Sequence, residues 1–172
     1  MKRSLCFLPV LLAFVVLPGV FVGIAPAQVV SPDADAVPAP RQNVFAMGLF
    51  AGPASGVGLS FRHHLPSPLS YQVTGGIIKS DDHLSYSIGV ELQFDIKRTN
   101  VTRFFAAAGT SYFHSGKPEQ NEMAAPGRLG VGIGGELHAG SGVHVMLDLL
   151  FTYFSDGTVL PLPQVGLHYY FR

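Results

Sequence analysis

The segment from Leu84 to Ile96, LSYSIGVELQFDI, sets Leu84, Tyr86, Ile88, Val90, Leu92, Phe94 and Ile96 at every second position, with Ser85, Ser87, Gly89, Glu91, Gln93 and Asp95 between them. Successive side chains of a strand point to opposite sides, so a period of two over this length is a β-strand with one apolar and one polar face. The run is about twice as long as the usual globular strand of roughly six residues. Two other segments repeat it. Over 143–153, Val143, Val145, Leu147, Leu149, Phe151 and Tyr153 oppose His144, Asp148 and Thr152. Over 128–138, Leu129, Val131, Ile133 and Leu137 oppose Arg128, Gly130, Gly132, Gly134, Glu136 and His138. Such strands must turn a continuous apolar face toward something other than water.

Shorter alternations at 44–51, 57–65, 69–80, 102–113 and 164–172 bring the expected number of strands to eight. The expected connections fall into two sets. Those after the second, fourth and sixth strands are short: Pro66-Ser67-Pro68, Lys97–Asn100 and Gly140-Ser141-Gly142. Those after the odd-numbered strands are longer: Gly52–Gly56, Lys79–His83, His114–Pro126 and Ser155–Pro163. A chain weaving up and down collects the tight turns at one end and the longer loops at the other, the arrangement of an outer-membrane barrel.

Alternation alone does not say which face is inside, since a soluble lipocalin-type barrel turns its apolar face inward. Three features select the membrane barrel. The polar face of 128–138 is mostly glycine, which suits a cramped lumen better than a solvated surface. Aromatic residues bracket the apolar faces, with Tyr86, Tyr112, Phe151 and Tyr153 toward the long loops and Phe45, Phe61, Phe94, Tyr169 and Phe171 toward the short turns, as in the girdles at bilayer interfaces. Almost no charge falls on the apolar face between them. Composition agrees: 13% of the 172 residues are charged, against about a quarter in soluble domains. With 11 basic and 11 acidic residues and no basic tract, nucleic acid is excluded as a partner. The single cysteine, Cys6, excludes a disulfide framework and any cysteine-rich metal site.

Residues 1–27 carry Lys2 and Arg3, an apolar stretch from Leu5 to Ile24, and Ala25-Pro26-Ala27, the three-part plan of a cleaved secretory signal. Pro9, Pro18, Gly19 and Gly23 count against the rival, a membrane-spanning helix. Residues 28–43, with prolines, aspartates and no periodicity, read as a disordered periplasmic leader. The barrel itself is expected over 44–172, with both termini in the periplasm.

The signal segment, the eight amphipathic strands and the last strand with Val165, Leu167, Tyr169 and Phe171 resemble the small outer-membrane β-barrel superfamily that includes the OmpA, OmpX and OmpW groups. The resemblance is one of architecture. It implies an all-β, eight-stranded, antiparallel, up-and-down transmembrane barrel in the outer membrane, among lipid and lipopolysaccharide. It also implies that the last strand addresses the assembly machinery, typically ending on an aromatic; here Arg172 follows Phe171. No periplasmic domain is expected after the barrel.

The polar face is expected to line the lumen with Arg62, Glu91, Gln93, Asp95, Arg128, Glu136 and Asp148, together with His64, Gln72, Thr74, His138, His144, Gln164 and His168. An eight-stranded barrel is only wide enough for side chains to fill it, so arginines and carboxylates that satisfy one another are the expected content. His64, His138, His144 and His168 gather toward the short-turn end as weak metal candidates, and 138 and 144 face each other across a hairpin, but their spacing matches no standard ligand motif. No cofactor is expected. His114, Ser115, Glu119 and Glu122 invite comparison with outer-membrane lipid A deacylases, yet adjacent His114-Ser115 lacks the deacylase spacing, and an enzyme is not expected. Asp81-Asp82-His83 and Ser155-Asp156-Gly157-Thr158 read first as solvated turns. The expected role is structural or interactive at the cell envelope, with a narrow pore or a barrel binding small apolar solutes as the alternative.

Overall fold

The computed structural model describes residues 43–139 and 142–171. The signal segment and the leader, apart from Asn43, lie outside the described residues. The strands are β1 (Val44–Gly52), β2 (Gly56–His64), β3 (Leu69–Ser80), β4 (His83–Arg98), β5 (Thr102–Lys117), a two-residue β6 (Gln120–Asn121), β7 (Gly127–His138), β8 (Val143–Phe154) and β9 (Val159–Phe171). Each pairs antiparallel with its neighbour. The β1–β9 pairing, from Phe45 opposite Phe171 to Ala51 opposite Val165, and the β4–β5 and β5–β7 pairings close eight of them into a barrel, with β6 appended to the end of β5.

The alternation read from the sequence is the alternation of burial. Along β8, Met146, Asp148, Leu150 and Thr152 are buried while Val145, Leu147, Leu149, Phe151 and Tyr153 face outward. The outward set forms an aliphatic band around the barrel, with Leu59 68%, Ile133 61% and Leu147 62% exposed. A continuous apolar exterior of this kind far exceeds the patches a soluble monomer carries. The outward-facing aromatics Phe61, Phe94, Tyr112, Phe151, Tyr153, Tyr169 and Phe171 flank it, and Tyr86 stacks on His114 with centroids 4.9 Å apart.

Strand ends depart from expectation, and with them the contrast between turns and loops. At the loop end β3 and β4 are joined by Asp81 and Asp82 alone, with Asp81 at φ 44°, a left-handed position that Asp tolerates. β5 runs on to Lys117 and folds back through β6, and β9 begins at Val159 instead of Gln164. Polar residues and prolines had marked these stretches as loops. Pairing to an existing neighbour extends the ladder regardless of side-chain type, and above the apolar band nothing enforces alternation. Pro161 and Pro163 are accommodated because β1 pairs with β9 only from Val165 onward, leaving their strand an edge at that height.

The connection from β1 to β2, between the two shortest strands of the barrel, is the largest departure. Pro53–Ser55 does not stand outside; Ala54 and Ser55 are fully buried. Gly56 at φ 93° and Gly58 at φ 137° adopt backbone that other residues rarely take, and they bend the tip inward. Ser87 on β4 secures the bend: its hydroxyl receives the Val57 N–H at 3.0 Å and donates to the Val57 carbonyl at 2.7 Å.

Candidate functional site

The inward faces of the strands bring the polar residues into one lumen, arranged in three levels. The level nearest the β7–β8 hairpin is ionic. Arg62 on β2 reaches across the barrel to Glu136 on β7 at 3.0 Å, is fully buried, and also donates to Gln72. Arg103 on β5 bonds Asp95 at 2.5 Å, Gln93 at 2.8 Å, Glu136 at 3.0 Å and Ser70 at 3.1 Å. Glu136 thus receives two guanidinium groups on Oε2, while its Oε1 accepts the Tyr170 hydroxyl at 2.5 Å and meets His144 Nδ1 at 2.8 Å. A carboxylate buried to this degree is stable only because so many donors converge on it.

The middle level holds carboxylates without cations. Glu91 is held by neutral donors, Ser55 at 2.5 Å, Gln93 at 2.6 Å and Gln164 at 3.2 Å. Asp148 is 2% exposed, and neither of its oxygens has a hydrogen-bond partner among the described residues.

The upper level is apolar around Ala54, Ala107 and Leu150, against the tucked β1–β2 connection. The cluster these form with Phe50, Phe105 and Met146 runs down beside the other two levels, with Met146 Sδ against the Arg62 and Gln93 side chains and the Arg103 guanidinium 4.7 Å from the Phe105 ring centroid. The Ala54 N–H donates to Gln164 at 3.0 Å and Ser111 donates to the Pro53 carbonyl at 2.8 Å, so the connection is tied to β5 and β9. The glycines on the inward faces make room for it. A Cβ at Gly130 would lie 2.6 Å from that of Ala54, and one at Gly89 or Gly109 would collide with Ser55.

Every residue expected in the lumen lies on an inward face. Arg128 sits above the others, its guanidinium 3.9 Å from the Phe113 ring centroid and 5.0 Å from that of Phe154. Sequence reasoning missed Arg103, Ser70 and Tyr170, and the buried connection. Parity marks Arg103 as inward, in step with Gly109 and Ser111; the connection left no such signal beyond its flanking glycines.

The four histidines do not form one site. His64 meets Ser70 and Tyr170, each at 2.6 Å, and His168 meets Ser60 at 3.0 Å. His138 and His144 pair with each other at 2.7 Å. No three His, Cys, Asp or Glu side chains converge for a metal among the described residues. At the loop end His114 and Ser115 fall on opposite faces of β5: His114 meets the Lys117 carbonyl at 3.1 Å, whereas Ser115 meets His83 at 3.1 Å and Ser85 at 3.2 Å. Asp156 accepts the Thr158 N–H at 2.9 Å, and this backbone hydrogen bond holds its exposed carboxyl below the ordinary value, as in a simple turn.

No protein-family model and no curated protein matches the chain. Among solved structures, the Yersinia pestis outer membrane protein Ail in a phospholipid bilayer nanodisc is similar at a TM-score of 0.44 and 10% identity, over 76% of this chain and 99% of that one. A major outer membrane protein from Thermus thermophilus is similar at a TM-score of 0.44 and 12% identity, over 76% and 100%. Neisserial surface protein A is similar at a TM-score of 0.37 and 16% identity, over 74% and 91%. The geometry of this chain defines its own class. A closed antiparallel barrel of eight strands, with aliphatic residues outside and charge inside, satisfies every constraint on a strand-built membrane span. It is a small transmembrane β-barrel of the outer-membrane kind.

Proposed function

We propose that this barrel serves the outer membrane as a structural or surface-interacting protein with a lumen that does not conduct. One observation carries the reading: Arg62 and Glu136, on strands diametrically opposed in the ring, meet at 3.0 Å in the middle of the lumen. The apolar cluster packed beside them and the tucked connection above fill the same axis a second time. An eight-stranded barrel has room for little else. The exterior fits lipid, with lipopolysaccharide at the leaflet nearer the β3–β4 turn, and β9 is the strand offered to the assembly machinery. The opposed faces of His114 and Ser115 give a hydrolase no support. Planar-bilayer recording of the refolded protein tests the reading. No steady current is expected, and an ohmic conductance would replace it with the narrow-pore alternative.

A further inference from the structure

We propose that His138 and His144 form a binding site for a divalent transition metal at the barrel mouth beside the β7–β8 hairpin, with Glu136 as the carboxylate that orients His144. The two residues lie directly opposite in the register of β7 and β8. His138 Nδ1 and His144 Nε2 converge to 2.7 Å, with the rings at 86° and their centroids 4.5 Å apart. His144 Nδ1 lies 2.8 Å from Glu136 Oε1. A carboxylate accepts only, so Nδ1 carries the hydrogen and Nε2 presents its lone pair toward His138. This is the carboxylate–histidine arrangement that fixes ring orientation and tautomer behind a metal ligand.

The support is tied to several strands. Glu136 is held by Arg62, Arg103 and Tyr170, and the His144 ring lies against Tyr170 with centroids 3.9 Å apart. Both imidazoles border an open cavity of about 340 Å³ whose wall also includes Arg98, Thr99, Asn100, Val101, Thr102 and Arg103, and the Arg103 guanidinium is already neutralised by Asp95 and Glu136. In the metal-free pair His138 Nδ1–H donates to His144 Nε2. Nitrogens bound to one tetrahedral zinc at 2.0–2.1 Å are about 3.3 Å apart, so binding moves the Nδ1 hydrogen of His138 to Nε2, separates the two nitrogens by about 0.6 Å and turns the rings until both lone pairs meet at the metal. Two imidazoles leave the other coordination positions to water, which the cavity admits. Imidazole ligands suit zinc, copper or nickel and not the hard cations that prefer oxygen.

Isothermal titration calorimetry of the full chain, untagged and refolded in detergent micelles, tests the site with Zn²⁺, with Mg²⁺ as the contrast. Saturable binding of one Zn²⁺ and none of Mg²⁺ is expected. H138A and H144A should each lower Zn²⁺ affinity at least tenfold, and E136Q should lower it by about 10–100-fold as an orienting carboxylate does. H83A and H168A should leave it unchanged. Heat-modifiable gel migration verifies that each variant is folded. On the unmodified protein, Zn²⁺ should protect His138 and His144, above the other histidines, from diethyl pyrocarbonate as read by peptide mass spectrometry. Absence of saturable Zn²⁺ binding, binding that survives the H138A/H144A double variant, or protection centred on His83 would overturn the proposal.

Discussion

Arg62 shows how one residue can decide the state of several others. Its guanidinium is fully buried and meets Glu136, Gln72 and Tyr170 at once. Replacing it with methionine keeps the length and removes the charge, leaving Glu136 with a single guanidinium. Arg62→Met should lower unfolding stability by about 3–5 kcal/mol, the cost of breaking a buried pair from one side. Asp148 is the opposite case, a buried carboxylate that no described donor reaches. Asp148→Asn exchanges a carboxyl that no described donor reaches for a neutral amide of the same shape, and should leave stability within about 1 kcal/mol of the parent or raise it. Denaturant titration in lipid vesicles, monitored by gel migration, measures both. A similar loss from the two substitutions would mean that the ionic level is not what stabilises the lumen. The sequence placed both residues on the polar face; it could not say which carboxylate had found a cation, because that depends on strands far apart in the chain.

Among the elements, the β1–β2 connection departs most from its sequence reading. Its glycines and proline suggested an external turn, yet Ala54 and Ser55 are wholly buried against inward glycines of other strands. Gly130 is the one of these that faces the side chain of Ala54. Gly130→Ala would bring its Cβ within 2.6 Å of Ala54 and should destabilise by about 1–3 kcal/mol through overpacking. Gly135, also on β7 but with an open surrounding, supplies the control: only a backbone carbonyl at 3.9 Å would meet the new Cβ. The same denaturant titration separates the two, and equal effects would point to strand propensity instead of the connection. Strands inside the apolar band were legible because lipid enforces a period of two. The ends of β5 and β9 were not, since above the band polar residues are admitted on both faces and only pairing with a neighbour decides where a strand stops.

At the scale of the whole molecule, closure and face assignment were legible, whereas orientation rests on which end bears the tight turns. The structure shortens the Lys79–His83 loop to two turn residues, so connection length separates the ends less sharply than the sequence implied. Single cysteines at Asp82 and at Ser67, labelled in intact cells by a membrane-impermeant maleimide, test the orientation. Labelling is expected at 82 and not at 67, and the reverse would invert the barrel. The bridges across the lumen carry one more consequence, for how the barrel forms. Arg103 on β5 meets Asp95 and Glu136 on its neighbouring strands β4 and β7 even in an open sheet, but Arg62 on β2 reaches Glu136 on β7 and Tyr170 on β9 only when β1 and β9 have met. An open sheet entering the bilayer would carry the Arg62 guanidinium without its carboxylate beside hydrocarbon, so half-zipped intermediates are penalised and the last seam closes together with its interior, in one cooperative step.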